Sequence, residues 1–218
     1  MEKKLIWDLP TRLFHWLLAA SLIGQYVTAE WVENALEWHF YIGYFVMGLL
    51  FFRISWGFTG PRYARFSQFL AGPDKIKAYL SDTDNAKARN PGHNPLGGWS
   101  VIAMLILLLA QSISGLFMTD DILWDGPFYH MVGSDVQGVA SWIHHNIFNI
   151  LLGVIALHIV AVLYYSLLKK QPLISAMIHG KKPTHATAIN SSMLVKAIVI
   201  SGAVASIVYW LVTSAETW

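Results

Sequence analysis

Cysteine is absent from all 218 residues. That excludes thiolate iron–sulfur ligation within the chain. It also excludes disulfides and covalent cofactor attachment through a C-x-x-C-H motif. Any metal or cofactor must be held by His, Met, Tyr, carboxylate or backbone groups. Charge is scarce as well: 13% of residues are charged, against roughly 25% in a soluble domain. With 55% hydrophobic residues, this is the composition of an integral membrane protein. A net charge of only +2 and so little polar surface leave no expectation of a nucleic-acid partner. A signal-peptide pattern is also missing. The opening MEKKLIWDLPTRLFHW places Asp8, Pro10 and Arg12 before any long apolar run, and no small-residue cleavage site follows. The first helix is expected to be retained.

What is present in quantity is apolar sequence with aromatic borders. The 10 Trp and 9 Tyr suit belts at the membrane–water interface. About 20 apolar residues cross a bilayer core, and five stretches meet that need: 12–29, 38–57, 98–118, 141–168 and 193–213. The expected class is an all-α membrane protein in contact with lipid. The one long connection, Gly57 to Gly97, is rich in Gly, Pro, Asn and charge. Its segment GPDKIKAYLS reads as a short surface helix with Pro73 near its start.

With these spans, all 15 Lys and Arg residues fall on one side of the membrane, Lys87 and Arg89 of the long connection included. The other side has Glu30, Glu33, Glu37, Asp120, Asp121, Asp125, Asp135 and Glu216. The positive-inside rule then sets the N-terminus in the cytoplasm and the C-terminus outside; the expected location is a bacterial inner (cytoplasmic) membrane. The acidic outer face follows from that topology, or serves as a docking surface for a basic soluble partner.

The histidines sort by depth. His93, His179 and His185 lie in cytoplasmic connections and read as solvated. His130 lies in an outer loop. His15, His39, His144, His145 and His158 lie at or inside spans, where an imidazole is costly unless something holds it. Fourteen residues separate His144 from His158. At about 100° and 1.5 Å per residue they stand within about 40° of one face and about 21 Å apart along the axis. His145 and His158 are about 140° apart. His39 opens the second span at the depth of His144, and His15 lies in the same half of the membrane as His158. Two depth-matched pairs result, His39 with His144 and His15 with His158. Opposed imidazoles on different helices are what six-coordinate haem iron requires, and bundle cores are where such sites are built.

Around them, Gly24, Gly43, Gly48, Gly115 and Gly153 allow close approach of helices or of a flat macrocycle. Arg12, Arg53, Arg62 and Arg65 lie on the inner side, where Arg suits haem propionates or simply obeys the positive-inside rule. No Lys or Arg is available outside, which gives His145 a role as propionate partner, supporting donor or rival ligand. Polar glue between helices and a proton relay are the other accounts of the set, but no Asp or Glu lies inside any of the five spans.

These residues fall in segments that resemble a known family. WDLPTRLFHW, HFYIGYFVMGLLFFRISWGFTGPRYARFSQF, NPLGGWSVIAMLILLLAQSISGLF and the His144–His158 spacing resemble the bacterial di-haem cytochrome b family. That family includes the b-type cytochrome subunit of nickel–iron hydrogenases and the prokaryotic b-561 cytochromes. The resemblance covers residues 5–170. It implies a four-helix haem-binding bundle over residues 1–170, with two b haems, each bis-His. It implies electron transfer between a periplasmic partner, a c-type cytochrome or hydrogenase-like dehydrogenase, and the quinone pool. Residues 171–218 then form a basic loop and an additional fifth transmembrane helix, to which the resemblance gives no role. A stand-alone superoxide:quinone oxidoreductase of the same fold and a haem-free membrane anchor or transporter are the alternatives. The segment WGFTGPRYARFSQF and the inner span ends are candidates for a quinone headgroup pocket.

Overall fold

The computed structural model describes residues 2–81 and 92–215. Lys87, Arg89 and Glu216 lie outside the described residues. The elements in order are β1 (Lys3–Leu5), α1 (Leu9–Glu30), α2 (Leu36–Thr59), α3 (Phe66–Phe69), α4 (Pro73–Ser81), α5 (Pro95–Gly115), α6 (Ser134–Leu163), α7 (Leu173–His179), β2 (Lys181–Pro183) and α8 (Leu194–Ala215). A π-helical turn, Tyr164–Leu168, continues α6.

Four helical segments are long and apolar enough to cross a membrane: Leu36–Thr59, Pro95–Gly115, Ser134–Leu168 and Leu194–Ser214. They match the second to fifth expected spans. The first expected span forms the 22-residue α1, which is not among these four; it carries Arg12, His15, Gln25 and Glu30. Helix ends depart from the apolar borders because caps set them. Asn94 Oδ1 accepts the Gly97 N–H at 2.6 Å with Pro95 as the first helical residue, so α5 starts three residues before its apolar run. Helix α6 begins at Ser134, seven residues before the apolar stretch, since a helix need not stop where hydrocarbon stops. The surface helix expected at GPDKIKAYLS is α4.

The chain divides into two units, and the division falls inside each of the five long helices among the described residues. The first comprises the chain up to Phe14, Arg53–Met104 and Ile155–Ala197. Here β1 and β2 pair antiparallel, with Lys4 opposite Lys182. Gly180 ends α7 at φ 79°, and its carbonyl accepts the N–H groups of Ile6 and Trp7. A Cβ at Gly180 would lie 2.6 Å from the Trp7 carbonyl oxygen, so glycine is required both for conformation and for space. Ile6, Trp7, Tyr63, Ala176 and Ile189 form a buried cluster above this join. Asp8 caps α1, accepting from the Thr11 N–H at 2.9 Å and the Thr11 hydroxyl at 2.7 Å. The same carboxylate accepts the Trp56 indole N–H at 3.0 Å.

Two side chains in this unit, His93 and Tyr79, sit differently from the sequence expectation or add to it. His93 is not a solvated loop residue: its ring lies 4.8 Å from Trp7 and 4.6 Å from Phe69, centre to centre. Loop composition does not report such long-range aromatic packing. His179 and His185 are exposed as expected. On α4, burial and the Tyr165 hydroxyl at 3.2 Å raise the Tyr79 phenol above its ordinary range.

The second unit comprises His15–Phe52, Leu105–Val154 and the chain from Ile198. Within it α1 meets α2 closely, since a Cβ at Gly24 would stand 3.2 Å from Ile42 Cδ1. Tyr26 of α1 stacks on Phe148 of α6 at 6.1 Å. Gly48 of α2 faces α8: a Cβ there would make ordinary van der Waals contact with Val204 and Val208, at 3.9 and 4.0 Å.

Candidate haem site

The second unit brings His39 and His144 together. His39 lies near the start of α2 and His144 about a third of the way along α6, and their ring centres are 6.5 Å apart at an interplanar angle of 72°. Each ring is fixed from behind. His39 Nδ1 donates to the Gln25 main-chain carbonyl at 3.2 Å, with Thr28 Oγ1 at 3.3 Å. His144 Nδ1 donates to the Gln111 carbonyl at 3.1 Å, with Ser114 Oγ at 3.1 Å. The Gln25 amide also donates to the His39 carbonyl at 3.0 Å, tying α1 to α2.

The carbonyls decide the tautomer. A carbonyl oxygen only accepts, so each Nδ1 carries the proton and each Nε2 is left basic. This is the arrangement that orients a metal-binding imidazole. A metal–imidazole bond of about 2.0 Å, with the ring centre about 1.1 Å beyond the nitrogen, sets two rings across one ion about 6.2 Å apart. The observed 6.5 Å fits one iron between them. Gly115 completes the cradle: a Cβ there would stand 3.1 Å from His144 Cε1.

The remaining expected site residues lie as follows. His15, on α1, is half-buried in the second unit, its ring 4.9 Å from Trp16. His158, on α6, is half-buried in the first. His145 is exposed, its ring centre 6.2 Å from that of His144, and it donates through Nδ1 to the Ser141 carbonyl of its own helix at 2.8 Å. Arg12 donates to the Ile178 carbonyl. Arg53 is 3% exposed, with its guanidinium 5.0 Å from the Phe66 ring centre. Its Nη1 is buried without a hydrogen-bond partner among the described residues.

Reading the sequence missed Gln25, Thr28, Gln111 and Ser114. Their signal was Q-x-x-T in one helix and Q-x-x-S in another, a glutamine and a hydroxyl one turn apart.

The loop between α5 and α6 is tightly built. Asp120 Oδ1 accepts the N–H groups of Trp124, Ile122 and Leu123 at 2.8, 3.0 and 2.8 Å. These bonds hold its carboxyl below the ordinary carboxylate range. Asp125 is lowered too, first by the Thr119 hydroxyl and then by His130, whose Nε2 stands 2.7 Å from its carboxylate.

Residues 6–180 match the family of prokaryotic cytochrome b561 proteins. The chain belongs to that family. As a member of the cytochrome b561 family it is a multi-pass membrane protein of electron transfer, with haem b as its group. It is 24% identical over 211 residues to the probable Ni/Fe-hydrogenase B-type cytochrome subunit of Rhizobium leguminosarum bv. viciae, covering 81% of this chain and 87% of that one. The probable Ni/Fe-hydrogenase 1 B-type cytochrome subunit of Escherichia coli (strain K12) is 22% identical over 80% of this chain and 88% of its own. The Azotobacter chroococcum mcd 1 protein named as such a subunit is 23% identical, over 80% and 86%. No solved structure matches the chain.

Proposed function

We propose that this cytochrome passes electrons between a periplasmic redox partner and the membrane quinone pool on two bis-His b haems. The observation that carries the reading is the His39–His144 pair, spaced for one iron and with both Nδ1 protons committed to carbonyls. His39 and His144 ligate the outer haem, His15 and His158 the inner one. A b haem supplies a one-electron ferric–ferrous couple. The chain's part is to fix ligand tautomer and angle, and to exclude water from the iron.

Residues 1–170 form the haem-binding four-helix bundle of α1, α2, α5 and α6. Residues 171–218 add the loop and last helix. The N-terminus is cytoplasmic and the C-terminus periplasmic in the inner membrane. Arg53, whose buried Nη1 has no partner among the described residues, and Arg12 serve the inner haem's propionates. His145 is left as a supporting group near the outer propionates.

The relatives' names favour a hydrogenase or similar dehydrogenase as the partner, with a c-type cytochrome as the other candidate. The acidic outer loop, exposed at Asp121, suits a basic protein surface and repels an anion such as superoxide.

The test is a reduced-minus-oxidised spectrum with a redox titration. Two b-type centres are expected. His39→Ala or His144→Ala should remove one and keep the other, and His15→Ala or His158→Ala the converse. A spectrum without b bands, or a single ligand variant that spares both centres, sinks the assignment.

A further inference from the structure

We propose that a groove between the outer parts of α1 and α2 binds the headgroup of an isoprenoid quinone, whose protons pass through Tyr41 and Glu37. The assignment rests on the quinone reading above, and it supplies the membrane face and the residues which that reading leaves open.

The groove holds about 370 Å³, within the range of about 300–1,000 Å³ typical of small-molecule sites. Ala20, Ser21 and Gly24 of α1 form its floor, and Trp38, Tyr41 and Phe45 of α2 its wall. The floor residues share one helix face by their spacing. Their small side chains leave room for a flat ring, and the aromatic side chains offer faces to stack on it. Trp38 and Tyr41 are 64% and 53% exposed, so the wall is displayed rather than used up in packing.

The groove backs directly onto the outer histidine pair. Gly24 precedes Gln25, whose carbonyl accepts from His39 Nδ1 and whose amide donates to the His39 carbonyl. Trp38 immediately precedes His39. Floor and wall are therefore the far sides of the same two backbones that hold the ligand. A headgroup in the groove lies against the residues next to Gln25 and His39 in the chain.

The rim carries a proton-exchanging pair. The Tyr41 hydroxyl donates to Glu37 Oε1 at 3.1 Å, one turn apart on α2. Glu37 is half-buried at the outer end of that helix, where a carboxylate can reach outer water. A lipid acyl chain would use the apolar lining and leave this pair without purpose. A quinone uses both: one quinone, two electrons and two protons give one quinol. The electrons would come one at a time from a b haem that His39 and His144 would hold. One proton passes from the Tyr41 hydroxyl to the quinone oxygen beside it, and Glu37 returns one to Tyr41 from the outer aqueous phase; the opposite oxygen takes its proton from water. Quinol oxidation is the same sequence reversed.

The experiment uses haem-loaded full-length protein in nanodiscs. An azido-ubiquinone photolabel should mark peptides containing residues 17–24 and 38–45, and decylubiquinol should compete it off while added phospholipid does not. Glu37→Gln and Tyr41→Phe should slow haem reduction by decylubiquinol about tenfold or more, with KM little changed and the dithionite-reduced spectrum intact. Ser21→Phe, which fills the floor, should instead raise KM and abolish labelling there. Label on other segments of a protein that does react with quinol overturns the groove and spares the quinone reading. Competition by phospholipid, or wild-type rates in the Glu37 and Tyr41 variants, also overturns it. A haem-loaded wild type that neither takes label nor exchanges electrons with quinol overturns both.

Discussion

Thr28 and Ser114 stand in the same relation to the two outer histidines. Each hydroxyl lies one turn after the glutamine whose carbonyl takes the imidazole N–H, and each is close to Nδ1, at 3.3 and 3.1 Å. Ser114 donates to its glutamine's carbonyl at 3.0 Å, while Thr28 has the Gly24 carbonyl at 2.8 Å and that of Gln25 at 3.2 Å as acceptors. The two rings are held by one repeated device on two helices.

The device predicts a redox effect without loss of the ligand. Ser114→Ala removes an acceptor beside the His144 N–H, which leaves the imidazole less electron-rich and the ferric state less favoured. The midpoint potential of one b centre should rise by about 20–50 mV, the scale of one hydrogen bond, while the low-spin spectrum persists. Thr28→Ala should act in the same direction through His39. Potentiometry of the two variants decides it; unchanged potentials in both would mean the hydroxyls serve only their own helices.

Gly115 gives a steric prediction with a built-in control. A Cβ there meets His144 Cε1 at 3.1 Å, whereas nothing lies within 4 Å of a Cβ at Gly153. Gly115→Val should push the ring off axis and convert one centre to high-spin or lose it. Gly153→Ala should leave both centres low-spin. Electron paramagnetic resonance of the oxidised proteins reads the difference.

Asp8 is a stability residue by the same kind of reasoning. It is 1% exposed, caps α1 and accepts the Trp56 indole N–H. Asp8→Ala removes the cap and leaves the buried Trp56 N–H without that acceptor. The expected loss is about 1–3 kcal/mol, seen as a fall in thermal midpoint. Asp8→Asn, which keeps acceptors for Thr11, should fall between it and wild type.

How much of this was legible in the sequence follows from what each signal depends on. The pairing of His39 with His144 was readable because helical periodicity and membrane depth are both set by local sequence. The carbonyls behind the rings were not, since any glutamine in an apolar run looks like an incidental polar residue until its neighbour helix is known. The join of Lys3–Leu5 to Lys181–Pro183 is three residues on either side of a very long separation, with no pattern to mark it. His93 was misread for the same reason: its partners Trp7 and Phe69 are remote in sequence. Gly48 was read with the site glycines, but periodicity alone does not say which neighbour a bare helix face receives.

The outer loop should respond to acid in a defined window. Asp120 and Asp125 have carboxyls lowered from 3.8. A lowered folded value means the contribution is fully present above about pH 4–5, where the unfolded group is also ionised, and fades as pH falls through the lowered value. Hydrogen exchange of the Ile122, Leu123 and Trp124 amides, which Asp120 holds, should therefore show constant protection from pH 7 to about 4, once corrected for the intrinsic rate, and weaken below it. Asp120→Ala should lose that protection at every pH. A drop in protection already between pH 7 and 5 would mean that another group controls the loop.

The fifth helix can be separated from the outer histidine pair by one residue. Gly48 and His39 are nine residues apart on α2, about 180° around the helix. The face that seats α8 is therefore the face turned away from the pair. Gly48→Leu puts a large side chain against Val204 and Val208 and should push α8 off at an overpacking cost of about 1–3 kcal/mol. The Lys196 bond to the Thr59 carbonyl at the other end of the contact, at 2.8 Å, should then fail to hold the helix alone. The expected result is a lower thermal midpoint and protease sensitivity in the connection before α8, with the b-type spectrum unchanged. Loss of the outer centre in this variant would show that α8 supports His39 through α2, and would make the last helix part of the haem site rather than an attachment to it.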